Sequence, residues 1–123
     1  MIQELKTIIA VSFGCPSTIE EGDVVEIVDD NEVDVISQTN SLKVVGVVCA
    51  HRYKDTTCTV STRFLSRRDN RIAGEDVSVG PFVFGAGSKV YAYDSENHSP
   101  AAICGLVIKS GSEGDFVETL EMV

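Results

Sequence analysis

The sequence predicts an all-β domain, a compact barrel or sandwich with little helix. Short runs in which apolar and polar residues alternate recur along almost the whole chain. Those runs are rich in Val, Ile, Phe and Tyr, and turn-forming Gly, Asp, Asn and Ser separate them. No segment keeps a 3.6-residue apolar period for three turns.

In chain order, Ile2, Leu5 and Ile9 hint at a helical stripe, but Thr7 to Phe13 fits a strand as well. Strands follow at Asp23–Val28, Glu32–Ile36, Leu42–Cys49 and Thr57–Leu65, with Asp29-Asp30-Asn31 read as a β-turn. Arg67 to Asp76 is polar and has no apolar period, so an exposed loop is expected there. Further strands are expected at Phe82–Phe84, Lys89–Tyr93, Ile103–Ile108 and Phe116–Leu120, with Gly85-Ala86-Gly87-Ser88 as a hairpin turn.

Sliding the chain over itself by about 58 residues exposes an internal two-fold repeat, with units at approximately 14–65 and 72–123. Glu21-Gly22-Asp23-Val24-Val25, Val33-Asp34-Val35 and Lys43-Val44-Val45-Gly46-Val47-Val48 are answered by three segments of the second half. These are Val79-Gly80-Pro81-Phe82-Val83, Val90-Tyr91-Ala92 and Ala102-Ile103-Cys104-Gly105-Leu106-Val107. Each half is too small to bury a core alone, so the two units are expected to share one domain spanning 1–123.

Composition narrows the function classes. Hydrophobic residues at 43% and charged residues at 24% are globular values. Aromatics at 7% with no Trp leave little for a stacking platform. The net charge of −9 repels phosphate, so neither nucleic acid nor an anionic membrane is expected as a partner. No apolar run is long enough for a membrane-spanning helix, and the first residues do not read as a signal peptide. Eight acids and no Lys or Arg lie between Glu20 and Asp34, while six of the ten basic residues lie between Arg52 and Arg71. Such segregation reads as solvated faces or as patches that meet between subunits. Glu20, Glu21, Asp23, Arg52, Arg67, Arg68 and Arg71 are the candidate protein-contact residues.

Little in the sequence suggests catalysis. His51 follows an apolar strand, and His98 lies in a turn where solvent exposure is expected. Asp29-Asp30-Asn31-Glu32 lacks the ligand spacing of an EF-hand loop, and no Cys-x-x-Cys pair suggests zinc. Cys15, Cys49, Cys58 and Cys104 are expected as free thiols, with Cys49 and Cys104 buried because apolar residues flank them.

Several segments carry a family resemblance: Thr62-Arg63-Phe64, Ile72-Ala73-Gly74-Glu75-Asp76-Val77-Ser78-Val79-Gly80-Pro81-Phe82-Val83, Lys89-Val90-Tyr91, Ala101-Ala102-Ile103-Cys104-Gly105-Leu106-Val107 and Gly114-Asp115-Phe116-Val117-Glu118. The series resembles small β proteins encoded among phage and prophage head genes, known as capsid decoration, cement or head-fibre base proteins. Pro81 stands where that pattern usually has Asp. The resemblance implies a β-barrel or β-tulip-like fold, no cofactor and no catalytic residues. It also implies trimers or other small homo-oligomers, and attachment to the major capsid protein on the capsid exterior after synthesis in the host cytoplasm. A tail component or receptor-binding β domain is the alternative. Ala73-Gly74-Glu75-Asp76 is also similar to the start of small barrel domains in sugar-acid and sialic-acid enzymes.

Overall fold

Ten strands and two short 3₁₀ turns make up the computed structural model, which describes residues 9–51, 56–62 and 65–122. Strands β1 (Ala10–Gly14), β2 (Val24–Asp29), β3 (Glu32–Val35), β4 (Val44–His51) and β5 (Thr57–Thr62) close into a barrel in the order β1-β3-β2-β4-β5. Strands β6 (Leu65–Ile72), β7 (Gly80–Phe84), β8 (Val90–Ala92), β9 (Gly105–Lys109) and β10 (Phe116–Met122) form a curled sheet in the order β6-β10-β9-β7-β8. The all-β fold with little helix is therefore as the alternation predicts.

The two halves are built alike. Read from its first strand through its last, the barrel runs β1-β5-β4-β2-β3 and the second sheet runs β6-β10-β9-β7-β8. A single parallel pair, Gly14 with Glu32, closes the barrel. Its counterpart in the second half is the lone parallel bridge between Ala73 and Val90. Val47 pairs with Ser61 as Leu106 pairs with Leu120. A bulge skips Cys49 in one half and Ile108 in the other.

Glycines mark the same correspondence. A Cβ on Gly46 would sit 2.1 Å from the Ser61 carbonyl oxygen, and one on Gly105 would sit 2.1 Å from the Leu120 oxygen. Both positions exist to let two backbones touch. By the same register Gly80, with a positive φ of 136°, stands where the first unit has Asp23, one residue after Gly22 at 92°.

The barrel strands supply the core from one face, and the second sheet from both. Val11, Phe13, Val25, Ile27, Val48 and Val60 fill the barrel, and Leu106, Ile108 and Leu120 of the second sheet join that same cluster. The opposite face of the second sheet buries Phe82, Val90, Val107 and Val117 with Ala73 and Val77. Two hydrogen bonds fasten the β2–β3 turn to the end of β9: Asn31 N donates to Ile108 O at 2.7 Å, and Ser110 N to Asp30 Oδ1 at 2.8 Å.

Three expectations need correction. The expected loop over Arg67 to Asp76 begins as strand β6, in seven-residue register with β10 from Leu65–Met122 to Ile72–Phe116. It is an edge strand with charged residues on both faces, which removes the apolar alternation that reveals a strand. The expected strand from Thr57 to Leu65 is β5 over Thr57–Thr62, while Leu65 already pairs with Met122 in the second sheet and residues 63–64 lie outside the described residues. Among the cysteines, all four of them free thiols, it is Cys58 that is buried, while Cys49 is exposed and Cys104 half-buried. Cys49 directly follows the inward-facing Val48 and therefore points to the outer side of the strand.

Candidate protein-contact surfaces

Glu20 and Glu21 are exposed in the turn that leads into β2. Asp23 has a structural task there, since its Oδ2 accepts the Glu20 N–H at 2.9 Å and its carbonyl accepts Val48 N at 2.9 Å. Arg52 lies outside the described residues.

The other three candidate arginines stand together on β6, each facing an acid of the same sheet. Arg67 Nη2 lies 2.8 Å from Asp69 Oδ2, and Arg68 Nη2 lies 3.3 Å from Glu118 Oε2. Arg71 forms a two-pronged pair with Glu121, Nε to Oε2 and Nη2 to Oε1, both at 2.9 Å. Its guanidinium also lies 4.9 Å from the centre of the Phe84 ring, a cation–π contact. Thr119 donates its hydroxyl to Glu121 Oε2 at 2.7 Å. The Arg71 hydrogen bonds hold the Glu121 carboxyl below its ordinary range against the opposing effect of burial. The same contacts raise the Arg71 guanidinium. At Asp69 the Asn70 N–H is the main cause of a lowered pKa, with Arg67 and Arg71 adding to it.

The basic cluster is thus neutralised locally by Asp69, Glu118 and Glu121 rather than left open to a distant acidic patch. No ion pair among the described residues joins it to Glu20, Glu21 or Asp23. The corresponding barrel positions are apolar: Val11 pairs with Val60 where Asp69 pairs with Thr119, and Phe13 with Cys58 where Arg71 pairs with Val117. The second unit has exchanged part of a hydrophobic interior for a hydrogen-bonded charge network. Sequence reasoning missed Glu118, Thr119, Glu121 and Phe84 as its members, since each reaches β6 only through the sheet pairing.

The barrel's outer surface is of a different kind. Strands β1, β5 and β4 contain no Asp, Glu, Lys or Arg. Val24 pairs with Val47 on that outer side, 39% and 36% exposed. On the second sheet Ile72 faces Phe116, which at 70% is the most exposed large apolar residue described.

Beside the single β1–β3 pair lies a half-open depression of about 600 Å³, lined by Cys15, Pro16, Val28, Glu32 and Asp34 among others. The neighbouring Cys58 thiol is pushed up to about 12, first by burial and then by its hydrogen bond with Cys15. His98 is half-buried rather than exposed, its Nδ1 accepting the Asp94 N–H at 3.1 Å. Among the described residues, no group of three or more His, Cys, Asp or Glu is placed to hold a metal ion.

No family model matches the chain, and no curated protein does. A solved structure described as the head fiber gp8.5 N base in bacteriophage phi29 is similar over 93% of both chains, at 19% identity and a TM-score of 0.40.

Proposed function

We propose that this chain is a non-enzymatic structural component of a phage virion that binds the outer surface of the capsid and stabilises it. The placement of the residues that carry the head-protein resemblance supports this reading. Ala73 makes the parallel bridge of the second unit, Gly80 and Gly114 hold left-handed backbone, and Gly105 allows two strands to touch. The motif therefore encodes a rigid β scaffold rather than a reactive centre. Pro81 stands in β7 of this scaffold opposite Leu106, its carbonyl accepting the Tyr93 N–H at 3.1 Å.

A rigid scaffold leaves its outward faces free for recognition. The charge-free outer face of β1, β5 and β4 has the composition of a protein-contact core, where charged residues are depleted. The partners of this reading are the major capsid protein and further copies of the chain, a trimer being the first choice by family resemblance.

Immunogold labelling of purified virions with antibody against this chain tests the proposal. Gold over the capsid shell is expected. Gold confined to the tail favours the tail or receptor-binding alternative, and virions without the protein overturn both.

A further inference from the structure

The chain contains one five-strand unit twice, yet only one of two equivalent outer faces is covered. In the second unit Leu106, Ile108 and Leu120 point away from that unit's own cluster and are buried with the barrel core. Register places Val47, Cys49 and Ser61 at those positions in the first unit. There the face is open, with Val47 and its cross-strand partner Val24 more than one-third exposed and Cys49 exposed. Val47, Cys49 and Ser61 lie among three adjacent strands without Asp, Glu, Lys or Arg, in a chain that is 24% charged, with Val24 of β2 at their margin.

The surface that receives Ile108 is also duplicated. Within the chain the β2–β3 turn receives it, through Asn31 N on Ile108 O, with Ile27 just before the turn fully buried. Ser88 in the β7–β8 turn matches Asn31, both in left-handed backbone at φ 60° and 53°. Phe84 matches Ile27, since Phe84 pairs with Val90 as Ile27 pairs with Val33. In place of burial, Phe84 is 38% exposed. Gly87 stands where Asp30 stands, so the Asp30 carboxylate contact has no counterpart.

We propose that a second copy of this chain covers these surfaces. The Val24, Val47 and Cys49 face of one copy packs on the β7–β8 turn and Phe84 of the next, repeating between chains the contact that joins the two units within one. This names the surface for the self-association suggested under the virion reading, and rests on that reading for self-association alone. With a net charge of −9 on each copy, a face without charges is where two copies meet at the least electrostatic cost. The contact is heterologous, so copies join head to tail and close into a ring if the rotation between units permits.

Sedimentation velocity across a concentration series, on wild type and Val47→Glu, tests the interface. Wild type is expected to associate, and Val47→Glu to raise the dissociation constant about tenfold or more with unchanged far-ultraviolet circular dichroism. Thiol cross-linking with a short bismaleimide tests it with Val24 and Val47 unchanged. Lys89→Cys, beside Ser88, should give cross-linked chains on denaturing gels that a Cys49→Ser background abolishes. A wild-type chain that stays monomeric, a Val47→Glu chain that associates normally, or the absence of a Cys49-dependent cross-link in an associating Lys89→Cys chain overturns the proposal. Capsid labelling separates the two readings: a monomer found on capsids refutes this interface alone, and an oligomer missing from virions refutes the virion role alone.

Discussion

Replacing Arg71 with Ala is expected to be the most damaging single change on β6, because it strands the Glu121 carboxylate. Glu121 is only 4% exposed and would keep one short-range donor, the Thr119 hydroxyl. Removing one member of a fully buried ion pair costs about 3–5 kcal/mol. The Arg71 side chain is one-quarter exposed, so water screens part of that interaction and about 2–3 kcal/mol is the better expectation. With an unfolding entropy near 2.1 cal/mol/K per residue, each kcal/mol lowers the melting temperature of this chain by about 4 °C, giving a drop of about 8–12 °C at pH 7. The pH dependence distinguishes a charge effect from lost packing. A carboxyl with a depressed folded-state pKa contributes stability above its unfolded value, about 4.3, and loses it as pH falls through the folded value. The gap between wild type and Arg71→Ala should therefore narrow below about pH 4. Thermal melts followed by circular dichroism at pH 7 and pH 3 provide the assay. An Arg71→Met, Glu121→Met double variant should lie closer to wild type than Arg71→Ala does. A drop under about 3 °C at pH 7, or a penalty as large at pH 3, would refute the reasoning.

Ala at Gly105 meets both a carbonyl at 2.1 Å and a φ of 155°, so Gly105→Ala should unfold the chain or cost several kcal/mol in urea titration. Gly22→Ala, with a φ of 92° but open space around it, should cost only about 1–2 kcal/mol in the same titration. Under native conditions at pH 8, an aromatic disulfide reagent should modify Cys49 quickly and Cys58 only on unfolding, since burial both shields the Cys58 thiol and raises its pKa to about 12. Equal rates at the two sites would contradict the placement. Arg67→Glu and Arg68→Glu should each move stability by less than about 1 kcal/mol in urea, because their ion pairs are exposed.

The fold was legible wherever one face of a strand is apolar and the other polar. Glu32–Val35 and Thr57–Ser61 announce themselves in this way, and the spaced glycines Gly46 and Gly105 reveal the repeat because close backbone approach admits no other residue. The sequence reading failed at β6 because the inward register positions held by Asp69 and Arg71 are charged, with Arg71 bound to Glu121, whose carboxylate also accepts the Thr119 hydroxyl. Period-two hydrophobicity cannot mark a strand whose inward positions are charged. Cys49 was misjudged for the opposite reason. The run Val44–Ala50 is apolar on both faces, and a barrel has only one inside, so half of that run remains outside. The charge network was beyond local reading, since 50 residues separate Arg71 from Glu121.

The register of the outer strands has a consequence for how the chain can be cut and rejoined. Ala10 stands opposite Ser61 and Met122 opposite Leu65, so the first and last described strands both terminate beside the passage from β5 to β6. Neighbouring strands lie about 5 Å apart, and the few residues between Ser61 and Leu65 add at most about 14 Å, so a linker of about eight residues can join residue 122 to residue 10. A circular permutant that begins at β6 and ends with β5 preserves every strand pairing and merely exchanges which unit is made first. The two units are thus interchangeable in order of synthesis, and a fused domain at the end of β10 would emerge beside the junction rather than at a far pole of the molecule.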